Sequence, residues 1–327
     1  MGKDNLDVVG IGNAIVDVLS RTGDDFLRDN GIHKGTMTLV DAVRSEALYG
    51  KMGPAVEVSG GSAANTIAAL ASLGSKAGFI GKVADDQLGS VFRHDIRSTG
   101  VVFDTPPLVG GVATARCMVL ITPDAQRTMN TYLGACVQLT SEDLDAELIR
   151  GAQVTYLEGY LFDQEHAKQA FRQAAGIAHS AGRKVALTLS DPFCIERHRD
   201  DFEELIKGHV DILFANEQEI MSLHRVEDFS KILPHCDLAV ITRSAKGSVI
   251  ISRHETIEVK AEPVAQVVDT TGAGDLYAAG FLHGYTQKKP LAECGRIGSI
   301  AAAEIIAQVG ARPQRSLAQV LKDKKAA

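Results

Sequence analysis

Apolar residues in this chain gather in short runs separated by longer amphipathic stretches. "LDVVGIG" (6–12), "KAGFIGKV" (76–83), "VTYLEGY" (154–160), "KVALTLS" (184–190), "DILFANE" (211–217) and "LAVITRS" (238–244) each read as a buried strand leaving a sheet. Between them, "SAANTIAALASLG" (62–74) predicts a helix with Ser62 as N-cap and Gly74 as its stop. "QEHAKQAFRQAAGIAHSAG" (164–182) carries apolar residues at helical spacing and stops at Gly182. Alternating strands and helices predict an α/β fold, a mostly parallel sheet with helices on both faces. Two regions break the rhythm. Residues 16–40 and 108–131 hold stretches such as "TMTLV" and "ARCMVLI" that alternate like half-exposed antiparallel strands. The predicted organisation is a large α/β unit (1–15, 41–107 and 132–327) and a small lid sheet (16–40 and 108–131). No repeat or linker interrupts it, and the terminal "KDKKAA" reads as solvated and frayed.

Composition narrows the function. Of 327 residues, 45% are hydrophobic and 23% charged, the balance of a globular domain with a large core. A formal charge of −7 argues against a nucleic-acid protein, which would show a basic stripe. Five widely spaced cysteines without a C-x-x-C predict buried, reduced thiols rather than disulfides or zinc ligands. No apolar run approaches the ~18 residues of a membrane span, and the start of the chain lacks a leader's apolar stretch. These features predict a cytoplasmic protein with no membrane or nucleic-acid partner.

The glycine-rich turns carry the chemistry. "GIGNAIVD" (10–17) lacks the third glycine of a dinucleotide fingerprint, because Ile15 stands there. Asn13 and Asp17 are instead polar candidates at a strand's carboxyl end, where open α/β sheets bind ligands. "GKV" (81–83) is no Walker A loop. In "SGGSAANT" (59–66), Gly60 and Gly61 allow close approach of backbone to a ligand, and Asn65 is placed to hydrogen-bond one. "DTTGAGD" (269–275) reads as a helix start. Free N–H groups and the helix dipole attract an anion there, and the missing Cβ atoms let a phosphate reach the amides of Gly272, Ala273 and Gly274. Asp275 would repel that anion unless it handles the proton of an attacking hydroxyl; its alternative role is to offset the helix dipole. "FANEQE" (214–219) sets Asn216 and Glu219 on one side of a turn, as oxygen ligands for magnesium or as a helix cap with a solvated glutamate. "ERHRDD" (196–201) reads as a solvated face.

Four signals, "GNAIVD", "GGSAAN", "NEQE" and "DTTGAGD", occur in one order. In that order the whole chain resembles the ribokinase/PfkB family of carbohydrate and nucleoside kinases. Within it, "LTLSDPF" (187–193), "VDILFANEQE" (210–219) and "DAQRTMNTYLGA" (124–135) are similar to segments of adenosine kinases, whereas "GGSAAN" also fits several sugar kinases. The resemblance implies a ribokinase-like fold and a monomer or homodimer that uses ATP and Mg²⁺. It implies Asp275 as general base for a primary hydroxyl, with Gly272, Ala273 and Gly274 as anion hole. Asn13, Asp17, Gly61 and Asn65, beside Gly60, would grip the diol of a nucleoside or sugar substrate. Asn216 and Glu219 would hold Mg²⁺, partly through water, and Asp269 and Thr271 a monovalent cation such as K⁺. Thr242, Gly247, Ser299 and Ala302 would line the nucleotide, and Arg127 would act from the lid on the transferring phosphate. Two other readings compete: a catalytically silent binding relative, against which the retained Asp275, Asn216 and Glu219 argue, and a nicotinamide enzyme, which Ile15 disfavours.

Overall fold

Eight strands form the main sheet of the computed structural model, which describes residues 5–124, 126–227 and 235–326. In spatial order they are Thr256–Val259, Ser248–Ser252, Leu238–Thr242, Ile212–Asn216, Lys184–Thr188, Ala152–Glu158, Leu6–Ile11 and Ala77–Ile80. The last six pair in parallel and contain the six apolar runs; the first two add an antiparallel edge. Both faces are covered, which is why these strands are apolar throughout rather than alternating. Val9, Ile11, Leu157 and Leu187 face a core shared with helices Glu165–Ser180 and Pro192–His209. Val8, Tyr156, Ala186 and Phe214 face the other core, under helices Ser62–Ser72 and Ala273–Thr286.

A second sheet of five strands runs Met37–Leu39, Arg127–Tyr132, Ala115–Ile121, Ile15–Arg21 and Ala55–Gly60. It mixes parallel and antiparallel pairs. Strand Ala55–Gly60 joins it from outside the two segments 16–40 and 108–131, and leads directly into helix Ser62–Ser72.

Three local expectations are corrected. Ser62 is the first helical residue and Gly61 is the cap; the Ser62 hydroxyl is used elsewhere, as shown below. The stretch 196–201 is not simply solvated. Arg199 donates to the Ser222 carbonyl, Asp201 pairs with the buried Lys168, and the helix kinks at His198. The tail is helical over Leu317–Ala326, and Lys324 reaches Glu262 at 2.7 Å; Ala327 lies outside the described residues, as do residues 1–4. All five cysteines are buried, and none forms a disulfide. No helix among the described residues is long and apolar enough to cross a membrane.

Candidate active site

Parallel strands deliver their carboxyl ends to one edge, so Glu158, Asn216 and Thr242, each the last residue of its strand, line up beside Asn13. Helix Ala273–Thr286 starts in the same neighbourhood. Its cap, Gly272, has φ +78°, and a Cβ there would lie 2.8 Å from that of Ala311, so only glycine suits the turn. Gly274 is exposed, with open space where its Cβ would be, and the first-turn N–H groups have no partner within their own helix. The Ala273 amide donates to the Thr270 carbonyl at 3.2 Å.

Asp275, one residue on, is held from two sides. Its Oδ1 accepts from the Ser62 hydroxyl at 2.6 Å and its Oδ2 from the Asn65 carboxamide at 3.1 Å. Loss of surrounding water pushes its pKa up to about 6, against the pull of these donors and of Arg312. It is therefore a carboxylate at neutral pH that still binds a proton readily. Arg312 donates from Nε to Asn65 Oδ1 at 2.9 Å, so Asn65 joins the guanidinium to the carboxylate.

Asp17 projects from strand Ile15–Arg21 of the second sheet. Burial pushes its pKa to about 6 as well, opposed by Arg312 and Arg127. Gly60 leaves room for this carboxylate, since a Cβ would stand 2.6 Å from Asp17 Oδ2. Gly61, at φ +94°, passes so close to Asn13 that a Cβ would lie 2.2 Å from the Asn13 carbonyl oxygen.

Asn13 is oriented by a carboxylate that sequence reasoning missed. Asn13 Nδ2 donates to Glu158 Oε1 at 2.6 Å, while the Asn13 and Ala63 amides donate to Oε2 at 3.3 and 2.8 Å. This leaves Asn13 Oδ1 buried without a hydrogen-bond partner. Glu158 is 1% exposed, and burial raises its pKa to about 7. A pKa above the ordinary 4.5 means that the folded state favours the neutral acid. Stability from this group is fully present below about 4.5 and is lost as pH rises through about 7. A shift of this size corresponds to on the order of 3 kcal/mol. Glu158→Gln should keep the fold and lose less stability than the wild type between pH 5 and pH 8, followed by thermal unfolding. Parallel curves for the two proteins would rule this out.

Arg127 begins strand Arg127–Tyr132 in the second sheet and crosses to the turn before helix Ala273–Thr286. Its Nη1 lies 2.9 Å from Asp269 Oδ2 and donates to Thr271 Oγ1 at 3.0 Å; Nη2 is buried without a partner. Asp269 also accepts from the Thr271 hydroxyl and from the Gly310 amide. The two residues expected beside a monovalent cation thus hold a guanidinium here.

Asn216 and Glu219 hold each other. The Asn216 side chain accepts from the Glu219 amide at 2.9 Å, and Glu219 accepts from the Asn216 amide and carboxamide at 3.0 and 2.6 Å. This reciprocal cap opens helix Glu217–His224. Glu219 is nevertheless 6% exposed rather than solvated, and burial, with the charges of Asp191 and Asp275, lifts its pKa to about 7. A carboxylate so placed gains from a cation.

The nucleotide candidates are spread along the antiparallel edge. The Thr242 hydroxyl sits 3.5 Å from the Ala215 carbonyl, and Gly247 turns against the Val259 carbonyl. Ser299 accepts from the Glu262 amide at 2.8 Å and donates to the Lys260 carbonyl, while Ala302 is partly buried against the core. Ser62, Glu158 and Arg312 had no local signal in the sequence.

Comparison with known proteins agrees with this architecture. Residues 37–317 match the model of the pfkB family carbohydrate kinases. The fold superposes on an adenosine kinase from Sinorhizobium meliloti with a TM-score of 0.90 and 52% identity, over 99% of this chain and 100% of that one. A probable sugar kinase from Rhizobium etli CFN 42 is as similar, with a TM-score of 0.91 and 49% identity over the same shares. An ATP-dependent ribose-1-phosphate kinase from Halopiger xanaduensis is 32% identical over 68% of this chain and 72% of its own. The chain belongs to the pfkB family of carbohydrate kinases, phosphotransferases acting on the hydroxyl of a sugar or nucleoside.

Proposed function

We propose that this chain transfers the γ-phosphoryl group of ATP to the primary hydroxyl of adenosine, forming AMP and ADP. The observation that carries the choice of acceptor is the 52% identity, over nearly the whole chain, to the Sinorhizobium meliloti adenosine kinase. Asp275 takes the proton as the acceptor oxygen attacks phosphorus, and the amides at Gly272, Ala273 and Gly274 bind the oxygens of the transferring group. Such a transition state is loose, so alignment and charge neutralisation supply most of the catalysis. Asn13 Oδ1 and the Asp17 carboxylate accept from the ribose hydroxyls, with Gly60 and Gly61 as the floor and Asn65 between diol and base. The adenine nucleotide lies along Thr242, Gly247, Ser299 and Ala302. The second sheet, residues 16–40 and 108–131 with strand Ala55–Gly60, is the lid that excludes water.

Asn216 and Glu219 fit a site for Mg²⁺ and its waters, because Glu219 is a buried carboxylate beside like charges. Mg²⁺ bound with ATP would neutralise phosphate charge. Glu219→Gln should raise the magnesium needed for half-maximal activity several-fold; an unchanged titration would confine Glu219 to capping its helix. A K⁺ ion at Asp269 and Thr271 would compete with Arg127 for the same oxygens.

A PfkB sugar kinase is the second reading, supported by the 49% identity to the probable sugar kinase. Coupled ADP release with adenosine, inosine, guanosine, ribose and fructose separates the two. Adenosine should give the highest kcat/KM, and faster turnover of ribose or fructose would overturn the adenosine assignment. 2′-Deoxyadenosine should be poorer than adenosine by roughly 1–3 kcal/mol, about 5- to 150-fold, because a buried carboxylate loses its donor. Equal efficiency with both would remove Asp17 from the diol site.

A further inference from the structure

Arg312 stands where the charges of the site converge. Carboxylates face it from three elements: Asp17 on strand Ile15–Arg21, Asp95 on helix Gln87–Ser98 and Asp275 on helix Ala273–Thr286. The loop that carries it is fastened to the turn before helix Ala273–Thr286. Gly310 donates its amide to Asp269 Oδ2 at 2.8 Å, Ala311 packs on Gly272, and Gln308 donates to the Arg312 carbonyl at 2.7 Å. Nε donates to Asn65 Oδ1, and Nη2 is buried with no hydrogen-bond partner. A guanidinium that leaves one donor unmet in a buried place is costly unless the site needs its charge and its geometry.

We propose that Arg312 is a positioning residue for phosphoryl transfer: it holds the Asn65 carboxamide with Nδ2 toward Asp275, and its charge balances the carboxylates of Asp275 and Asp17. The geometry settles the orientation of Asn65. With Oδ1 occupied by the Arg312 donor, only Nδ2 is left to face Asp275, which needs a donor. A flipped carboxamide would set oxygen against carboxylate and nitrogen against guanidinium. Electrostatics acts in the same direction. Asp275 has Ser62, Asn65 and Arg312 as stabilising neighbours against the loss of surrounding water, and its own charge helps raise the pKa of Glu158 and Glu219. Asp17 depends on Arg312 first and Arg127 second. Arg312 is the cation that serves both the base and the diol carboxylate.

The inference rests on the reading of Asp275 as general base, so the test includes Asp275→Asn as a reference. Arg312→Met and Arg312→Lys are compared with the wild type by kcat and kcat/KM from pH 5 to 9, KM for ATP and thermal unfolding. Arg312→Met should move the acid limb of kcat/KM up by about one pH unit, a loss of about ten-fold at pH 5 and about two-fold at pH 7, and lower the plateau as Asn65 loses its orientation, with KM for ATP within about two-fold. Arg312→Lys keeps the charge without the planar fork, so the limb should stay while the plateau falls. A plateau loss in Arg312→Met with an unmoved limb would overturn the proposal, leaving only a packing role. If that variant fails to fold, Arg312→Lys decides: a full plateau overturns the proposal and a lowered one with an unmoved limb supports it. Full activity in Asp275→Asn would overturn the assignment of the base; an inactive Asp275→Asn beside unchanged Arg312 variants would overturn this inference alone.

Discussion

Asp275→Asn is expected to lower turnover by about 10²–10⁴ while leaving the fold and ATP binding in place, the usual consequence of removing a general base. The carboxylate sits in the first turn of helix Ala273–Thr286, where its charge would weaken binding of a phosphate at the helix start unless it served the reaction. Its two donors, Ser62 and Asn65, hold it against rotation without neutralising it. A pKa near 6 suits the task, since the group is ionised at pH 7 and yet basic enough to accept a proton. In the wild type, kcat/KM should fall as pH drops through about 6, because protonation removes the base. Asparagine nearly matches the shape and cannot take the proton, so the loss should appear in kcat, with little change in ATP affinity measured by calorimetry. Near-normal turnover in this variant would reduce Asp275 to a residue that offsets the helix dipole.

Arg127→Ala should lower turnover at saturating substrates on the order of 10²-fold, the scale of losing one donor to charge that develops in the transition state. Arg127 is anchored by Asp269 and Thr271 before helix Ala273–Thr286, and its Nη2 has no hydrogen-bond partner among the described residues. Under the proposed function, that donor, delivered from the second sheet, would meet an oxygen of the transferring phosphoryl group. A bidentate guanidinium contact adds both charge and direction, so Arg127→Lys should recover the rate only in part. The loss should fall on kcat more than on KM for ATP, because the interaction strengthens as charge builds. If both variants keep full turnover, or if only the KM of the acceptor moves, Arg127 serves substrate capture and not phosphoryl transfer.

Local sequence determined the six parallel strands, several helices and the helix start at "DTTGAGD". Apolar runs that must be covered on both faces are legible one by one, and "DTTGAGD" reads as a helix start because glycine, dipole and free amides are properties of adjacent residues. Its pairing with "GGSAAN" and "NEQE" carried the family. Distance along the chain hid the rest. Glu158 meets Asn13 across 145 residues, Ser62 meets Asp275 across 213, and Arg312 meets Asn65 across 247. Each is an ordinary polar residue in its own segment. Strand Ala55–Gly60 is similarly unmarked, since its place in the second sheet depends on pairing with Ile15–Arg21. The "NEQE" spacing fitted both a metal ligand and a cap, and only burial beside Asp191 and Asp275 distinguishes its glutamate from a solvated one. Ionisation is the final case: whether a carboxylate titrates near 4 or near 7 depends on the water it loses and the charges it meets, and folding brings those together from distant parts of the chain.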